Sequence, residues 1–194
     1  MKKLLLSLVF VGTSSLLTAQ TNWNVDAAHT NVRFTVTHLV ISEVDGNFKT
    51  FDGKIISKGN DFNDASVEFR VDVNSINTDN DGRDKHLKSD DFFNAEKFPT
   101  MNFKSTSFKK VDDKKYVLTG NLTIRDVTKP VTFDVVHSGV TKDPYGNTKA
   151  GFKATSSINR KDYKLLWSVA TETGGLVVGD DVSITINLQL NQAK

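Results

Sequence analysis

The sequence contains no cysteine. That absence removes disulfide staples, thiolate metal sites, thiol nucleophiles and thiol redox chemistry together, so stability must come from burial and hydrogen bonding. It also excludes a lipid-anchored lipoprotein, because no cysteine follows the apolar run near the N-terminus. No Pro/Gly/Ser-rich linker divides the 194 residues, and no long run of one charge sign marks an interaction tail. Net charge is nearly absent too. The chain has 25 Lys and Arg against 23 Asp and Glu, but Lys2 and Lys3 sit ahead of Leu4 to Val11 in "MKKLLLSLVFVGTSSLLTAQ". That stretch, ending in small and polar residues at Ala19, reads as a secretory signal peptide over residues 1–19, too short to span a bilayer by itself. Without it the formal charge falls from +2 to zero, since no acid lies in the leader. Lacking a basic surplus or stripe, the exported chain is not expected to bind nucleic acid. Residues 20–194 are read as one domain, long enough for a sizeable core.

What the sequence does have, from Val32 onward, is alternation with period two, which puts neighbouring side chains on opposite faces of a strand. Val67, Phe69, Val71 and Val73 share one face while Glu68, Arg70 and Asp72 share the other. The same one-sidedness recurs at Val32-Phe34-Val36, at Tyr116-Leu118-Leu122-Ile124 and at Val131-Phe133-Val135. It recurs again at Ala150-Phe152-Ala154-Ile158 and at Val182-Ile184-Ile186-Leu188-Leu190. Turn signals fall at Asp45-Gly46, Asp112-Asp113, Lys129-Pro130 and Pro144-Tyr145-Gly146-Asn147. Several antiparallel strands with one apolar face each hide those faces by closing into a barrel or by packing as two sheets. The mostly short connections favour an up-and-down order. A membrane-spanning barrel would need the reverse parity, and Glu68, Arg70, Lys149 and Lys153 on the polar set belong in water.

A barrel of about eight strands is either filled by its own side chains or able to hold one small ligand. The dry faces mix Phe34, Phe69, Phe103, Phe133 and Phe152 with Ser105, Gly120, Gly139, Ala150, Ala154 and Ser156. Large and small residues interdigitate in a solid core, or the small ones leave space behind an apolar wall; parity alone leaves both open. Strands over residues 114–125 and 180–191 would each extend roughly 35 to 40 Å at ~3.3 Å per residue, which suits an elongated hydrocarbon.

Residues 83 to 99, "RDKHLKSDDFFNAEKFP", break the alternation. Asn80 or Asp81 can cap a short helix through Arg83, His86 and Leu87, Ser89 can restart a turn that carries Phe92 and Phe93 inward, and Pro99 blocks further helix. This segment therefore covers one end of the barrel. The catalytic alternative is an envelope hydrolase or isomerase using His86 with Asp84 or Asp90, and Ser89 as nucleophile, although no strand-to-helix elbow or glycine-rich oxyanion loop surrounds that serine. His29, His38, His86 and His137 are scattered over four segments without metal-ligand spacing, so no metal is expected. His38 and His137 fall on dry parity and either line the lumen or sit as satisfied core or rim histidines. In "INRKDYKLLW", Leu165, Leu166 and Trp167 form either a lid at the mouth or a satellite cluster under a loop that runs on to Gly174-Gly175. Arg160 and Asp162 are read as pairing with each other or capping turns.

Six stretches in order, "WNVDAAHTNVRFTVTHL", "DGNFKTFDGKI", "RDKHLKSDDFFNAEKFPTMNFKST", "LTIRDVTKPV", "GFKATSSINRKDY" and "VGDDVSITI", resemble the YceI-like polyisoprenoid-binding proteins of bacterial envelopes. The resemblance runs from Trp23 to about Leu190. It implies an all-β fold, an extended antiparallel lipocalin-like barrel with a short helical segment over one end. It implies a periplasmic protein that is not an enzyme and that holds a polyprenyl phosphate, a quinone tail or a related amphiphile non-covalently, with no other cofactor. On this reading the lumen is lined by Phe34, Val36, His38, Phe69, Phe103, Leu118, Leu122, Phe133, His137, Phe152 and Trp167. The cover is made by Arg83, His86, Leu87, Phe92 and Phe93. Lys164-Leu165-Leu166-Trp167 departs from the smaller, glycine-containing stretch of many relatives, which bears on mouth shape and ligand length. No stable membrane insertion is expected, a homodimer through exposed edge strands stays open, and a stress-related interaction module with a solid core is the remaining alternative.

Overall fold

The computed structural model describes residues 20–170 and 175–194; the expected leader and Gly174 lie outside them. Eleven strands form one antiparallel sheet that closes on itself. They are β1 (Gln20–Val25), β2 (Asn31–His38), β3 (Ser42–Phe48), β4 (Phe51–Lys58), β5 (Asp61–Asp72), β6 (Ile76–Asn77), β7 (Thr100–Lys110), β8 (Lys115–Ile124), β9 (Val127–Lys142), β10 (Thr148–Asn159) and β11 (Val178–Gln192). The one α-helix among the described residues, α1, spans Asp81–Lys88.

The register shows why eleven strands make an eight-stranded barrel. β1 and β2 lie in line along the final strand, Val25 opposite Leu190 and Asn31 opposite Asn187. β3 and β4 continue one another along that broken strand, with Phe48 opposite Val32 and Lys54 opposite Asn24. β5 and β6 do the same on the next, with Val71 opposite Phe51 and Ile76 opposite Phe48. β7, β8, β9, β10 and β11 then follow in sequence order and the last returns to the first. Each wall thus neighbours its successor, the up-and-down order, and no edge runs the full length of the barrel.

Two turn signals proved to be strand residues. Asp45 and Gly46 lie inside β3, where a Cβ on Gly46 would stand 2.2 Å from the Phe34 ring, so this glycine serves a close approach across the sheet. The actual turn is at Leu39 and Val40, both with positive φ. Pro130 lies in β9 beyond the last β10 pair, Thr155 with Asp134, where β9 has only β8 beside it and a missing N–H is tolerated. Asp112-Asp113 and Pro144–Asn147 are turns, the latter held by the Asp143 carboxylate accepting from the backbone N–H groups of Tyr145 and Asn147, both at 2.9 Å. Gly139 leaves the dry face after the register shift opposite Gly151 and Phe152, and is exposed.

The antiparallel order gathers the short turns at 59–60, 111–114 and 143–147 at one end, with both sheet termini. That end is solid. Trp23, Phe62 and Leu190 are wholly buried there; the Trp23 indole donates to Ser57 Oγ at 2.9 Å and packs on Phe62, whose ring meets Phe152 edge-on at 4.8 Å. Each such side chain contributes about 1.5–3 kcal/mol of burial. The long connection 78–99 and the described residues 160–170 and 175–177 gather at the other end with the tips at 39–41 and 125–126.

Candidate functional site

α1 starts where the sequence says it can. The Asn80 side chain accepts from the Arg83 N–H at 2.9 Å, Asp81 and Asp84 stand in the first turn, and Lys85, His86 and Lys88 stand in the last, each sign where the helix dipole favours it. The buried Asp84 carboxylate accepts from the backbone N–H and hydroxyl of Thr78, while Arg83 donates from Nε to the Thr78 hydroxyl at 2.8 Å and from Nη2 to the Thr78 carbonyl at 2.7 Å. This lock fixes the helix to the end of β6. Beyond it the chain folds back, with Ser89 Oγ donating to the His86 carbonyl, the Phe93 N–H donating to the Leu87 carbonyl and the Ala95 N–H to that of Lys88. Leu87, Phe92 and Phe93 are thereby turned inward.

Beneath them lies a cavity of about 200 Å³ that presents no polar surface. Phe34, Val36, Phe69, Phe103, Leu118, Leu122 and Phe133 line it, as do Leu87, Phe92 and Phe93 of the cover. Strand parity also placed Ala154, Ile158, Val182, Ile184, Ile186 and Leu188 inside, and these complete the wall. Many of them point into the barrel yet are only half-buried, because empty space rather than packed atoms faces them.

Four expected lining residues lie elsewhere. His38 is the last residue of β2, opposite Val178 at the cavity's margin, and is not part of the lining. His137 and Phe152 belong to the solid end, their rings stacked 4.6 Å apart beside Phe62. Burial pushes the His137 pKa down, as do Lys110 and Lys114, against a backbone hydrogen bond with Gly139; its Nε2 is buried without a partner. Trp167 packs against Phe92 at 5.4 Å and His86 at 5.2 Å, backing the cover instead of facing the lumen. Arg83 and His86 belong to the cover but do not touch the cavity; they hold it in place.

The same geometry disassembles the proposed catalytic cluster. His86 Nε2 pairs with Asp91 at 2.8 Å, not with Asp84 or Asp90; Asp84 is spent on Thr78, and the Ser89 hydroxyl on a backbone carbonyl. Among the described residues no group of three or more His, Asp or Glu gathers to hold a metal ion.

Two arginines, of which the sequence singled out only Arg160, tie the mouth together. Arg160, expected to pair with Asp162 or to cap a turn, does not pair with Asp162; it is buried and spends its donors on the carbonyls of Gly179, Leu165, Trp167 and Val178 and on the Asp180 carboxylate. Asp162 pairs with Lys129. Burial lowers the Arg160 pKa while Asp180 opposes that shift. Arg125 Nη1 donates to the carbonyls of Phe92 at 3.0 Å and Lys164 at 2.8 Å, joining the cover to the segment that follows β10. Leu165 turns into the cavity and Leu166 out to solvent, so the segment is a mouth wall with one foot in the lumen.

A model of the YceI-like domain matches residues 23–190. The chain belongs to the YceI-like family. A UPF0312 protein of Staphylococcus aureus is 38% identical over 172 residues, covering 88% of this chain and 98% of the relative. The YCEI protein of Campylobacter jejuni superposes with a TM-score of 0.69 at 35% identity, over 87% of this chain and 96% of that one. A polyisoprenoid binding domain from Saccharophagus degradans shares the YceI-like fold at a TM-score of 0.66, with 14% identity over 88% and 98% of the two chains.

Proposed function

We propose that this YceI-like protein is a non-enzymatic carrier or store that holds the hydrocarbon tail of an isoprenoid lipid, a polyprenyl phosphate or a quinone, in the apolar cavity under α1. The observation that carries the reading is a cavity of about 200 Å³ with no polar surface, walled by half-buried Phe34, Leu122, Ile184 and Ile186. Apolar space of ~150 Å³ already stays dry and takes a benzene-sized guest, so this chamber takes a segment of roughly eight carbons, somewhat more than one isoprene unit. Longer chains require the half-buried Leu87, Phe93 and Met101 to yield, and Arg125 and Arg160 set how far the cover and the mouth can move apart. With no polar anchor inside, recognition is of the tail. A phosphate and a quinone head are then equivalent as far as the chamber is concerned.

Family membership and the fold shared with a polyisoprenoid binding domain support the ligand class. The leader expected over residues 1–19 supports a periplasmic location, where such lipids would be handed between membranes. Burying about eight methylenes at ~0.8 kcal/mol each contributes on the order of 6 kcal/mol before association costs. The test is organic extraction of protein purified from its own envelope, followed by mass spectrometry. An isoprenoid at near-unit stoichiometry is the expected result; a ligand-free protein that also takes up no polyprenyl lipid in vitro overturns the reading.

A further inference from the structure

The hairpin between β2 and β3 turns through Leu39 and Val40, at φ 52 and 67, and the Ile41 N–H donates to the His38 carbonyl at 3.3 Å. Consecutive positive φ values are the signature of the hairpin turn that Asn-Gly fills without strain. A leucine followed by a β-branched valine is the opposite choice, because Cβ crowds the backbone in that region. The strain is accompanied by exposure: Leu39 is 40%, Val40 65% and Ile41 87% accessible. A residue pair that is costly to the turn and gains no burial in the fold points to a contact outside the fold.

The tip is continuous with the chamber's mouth. The Leu39 N–H donates to the Val177 carbonyl at 2.9 Å, the Val177 N–H donates to the Val169 carbonyl at 2.9 Å, and the adjoining Val178 lines the cavity with Val36. Val169 and Leu166, on the same end, are 49% and 61% accessible. So five of the eight large apolar side chains exposed among the described residues, Leu39, Val40, Ile41, Leu166 and Val169, stand on the two connections that frame one side of the mouth. The cationic side chains nearest Leu166 in sequence are already committed, Lys164 to Asp126 and Lys161 to Asp180.

We infer that this apolar rim seats the protein on a phospholipid bilayer, so that the mouth opens onto the hydrocarbon from which the ligand's tail is taken. The inference rests on the carrier reading and deepens it by naming where loading occurs. The occupant follows from what the mouth admits: the wall that continues the rim inward is bare hydrocarbon, and the phase that both supplies an isoprenoid tail and accepts exposed Val and Ile is the lipid interface. Seating is by shallow apolar insertion and is therefore insensitive to salt and to lipid charge.

The test uses the full chain and neutral phosphatidylcholine vesicles in flotation assays, beside uptake of a polyprenyl alcohol presented in ethanol. The unaltered protein is expected to float with vesicles equally at 50 and 500 mM salt. The double variant Leu39→Asn, Val40→Gly is expected to bind vesicles at least tenfold more weakly, to melt at a higher temperature because the turn is relieved, and to keep its uptake from ethanol. Leu166→Ser with Val169→Ser alters the other side of the mouth and is expected to weaken flotation several-fold. Flotation unchanged in both variants overturns the inference while leaving the carrier reading intact. So does self-association of the unaltered protein that the variants abolish, with no vesicle binding, since the rim would then face a second copy of the chain. Loss of ethanol uptake by the unaltered protein counts instead against the carrier reading.

Discussion

The two ends of the barrel are made from the same strands and behave as different materials. At the short-turn end Trp23 of β1, His137 of β9 and Phe152 of β10 meet Phe62 from β5 in a cluster that also holds Tyr116 of β8 and Leu190 of β11, and Trp23, Phe62 and Leu190 have no accessible surface. At the long-connection end the inward side chains of the same β8, β10 and β11 face a void, and Leu122, Ala154, Ile184 and Ile186 stay half-buried although they point inward. The difference comes from residue volume and from what plugs the end. Two indole- and phenyl-sized side chains and a stacked His137–Phe152 pair fill one end outright. The other is capped from outside by a helix held on Thr78 and a following turn held by Arg125, which roof the space without filling it. A barrel can therefore be rigid and hollow at once, with its stability concentrated away from its chamber.

The largest effect should come from breaking the solid end. Phe62→Ala is expected to cost roughly 3–5 kcal/mol, as for other fully buried aromatic truncations, whereas Ile184→Ala at the chamber should cost under about 2 kcal/mol because a void already adjoins it. Urea denaturation of both variants measures the contrast, and equal costs would erase it. A smaller effect separates two glycines. A Cβ at Gly120 would stand 2.4 Å from the Phe103 ring and 2.5 Å from the Lys104 carbonyl oxygen, and backbone cannot yield, so Gly120→Ala should cost about 1–3 kcal/mol. At Gly46 the three nearest atoms are all of the Phe34 ring, which can swing into the cavity, so Gly46→Ala should cost less than Gly120→Ala in thermal melts and narrow the chamber.

Filling the chamber should have the opposite sign. Ala154→Leu adds apolar contacts where there is space and is expected to raise stability by about 1 kcal/mol while blocking lipid uptake, as calorimetry and a binding titration on one sample would show. The smallest effect is a pH dependence confined to the solid end. Because burial holds the His137 pKa below 6.5, the unfolded chain binds its proton more readily than the folded one. Stability from this group is thus complete above 6.5 and is lost as pH falls from there toward the folded value. His137→Phe keeps the aromatic stacking, removes the orphaned Nε2, and should flatten the slope of melting temperature below pH 6.5.

Much of this was legible in the alternation of β2, β5, β8, β9, β10 and β11, since period two fixes which side chains share an interior. The capped helix over residues 81–88 was legible from Asn80 and Asp81. How far along the axis the filling extends was not legible. Parity places His137 and Phe152 inside just as it places Phe133, but only the position of each strand against its neighbours decides whether an inward ring meets Phe62 or a void. β1 and β4 escaped notice because "TNWNV" and "FDGKI" interrupt alternation with Asn and Gly, and so the anchor at Trp23 went unseen. Asp45-Gly46 misled because glycine answers two needs, a turn or a close ring, and local sequence does not say which. Arg160 was noticed but its partners were not legible, since apart from Asp180 they are backbone carbonyls that any residue supplies.

The most direct test of the hollow end is a titration of purified protein with a polyprenyl alcohol, run beside Ala154→Phe at the chamber and Tyr116→Phe at the solid end. A chamber that accepts a tail predicts one lipid per unaltered protein, one per Tyr116→Phe, and none for Ala154→Phe with its fold intact. Uptake by Ala154→Phe equal to that of the unaltered protein would show that the lipid binds somewhere else and would contradict the account.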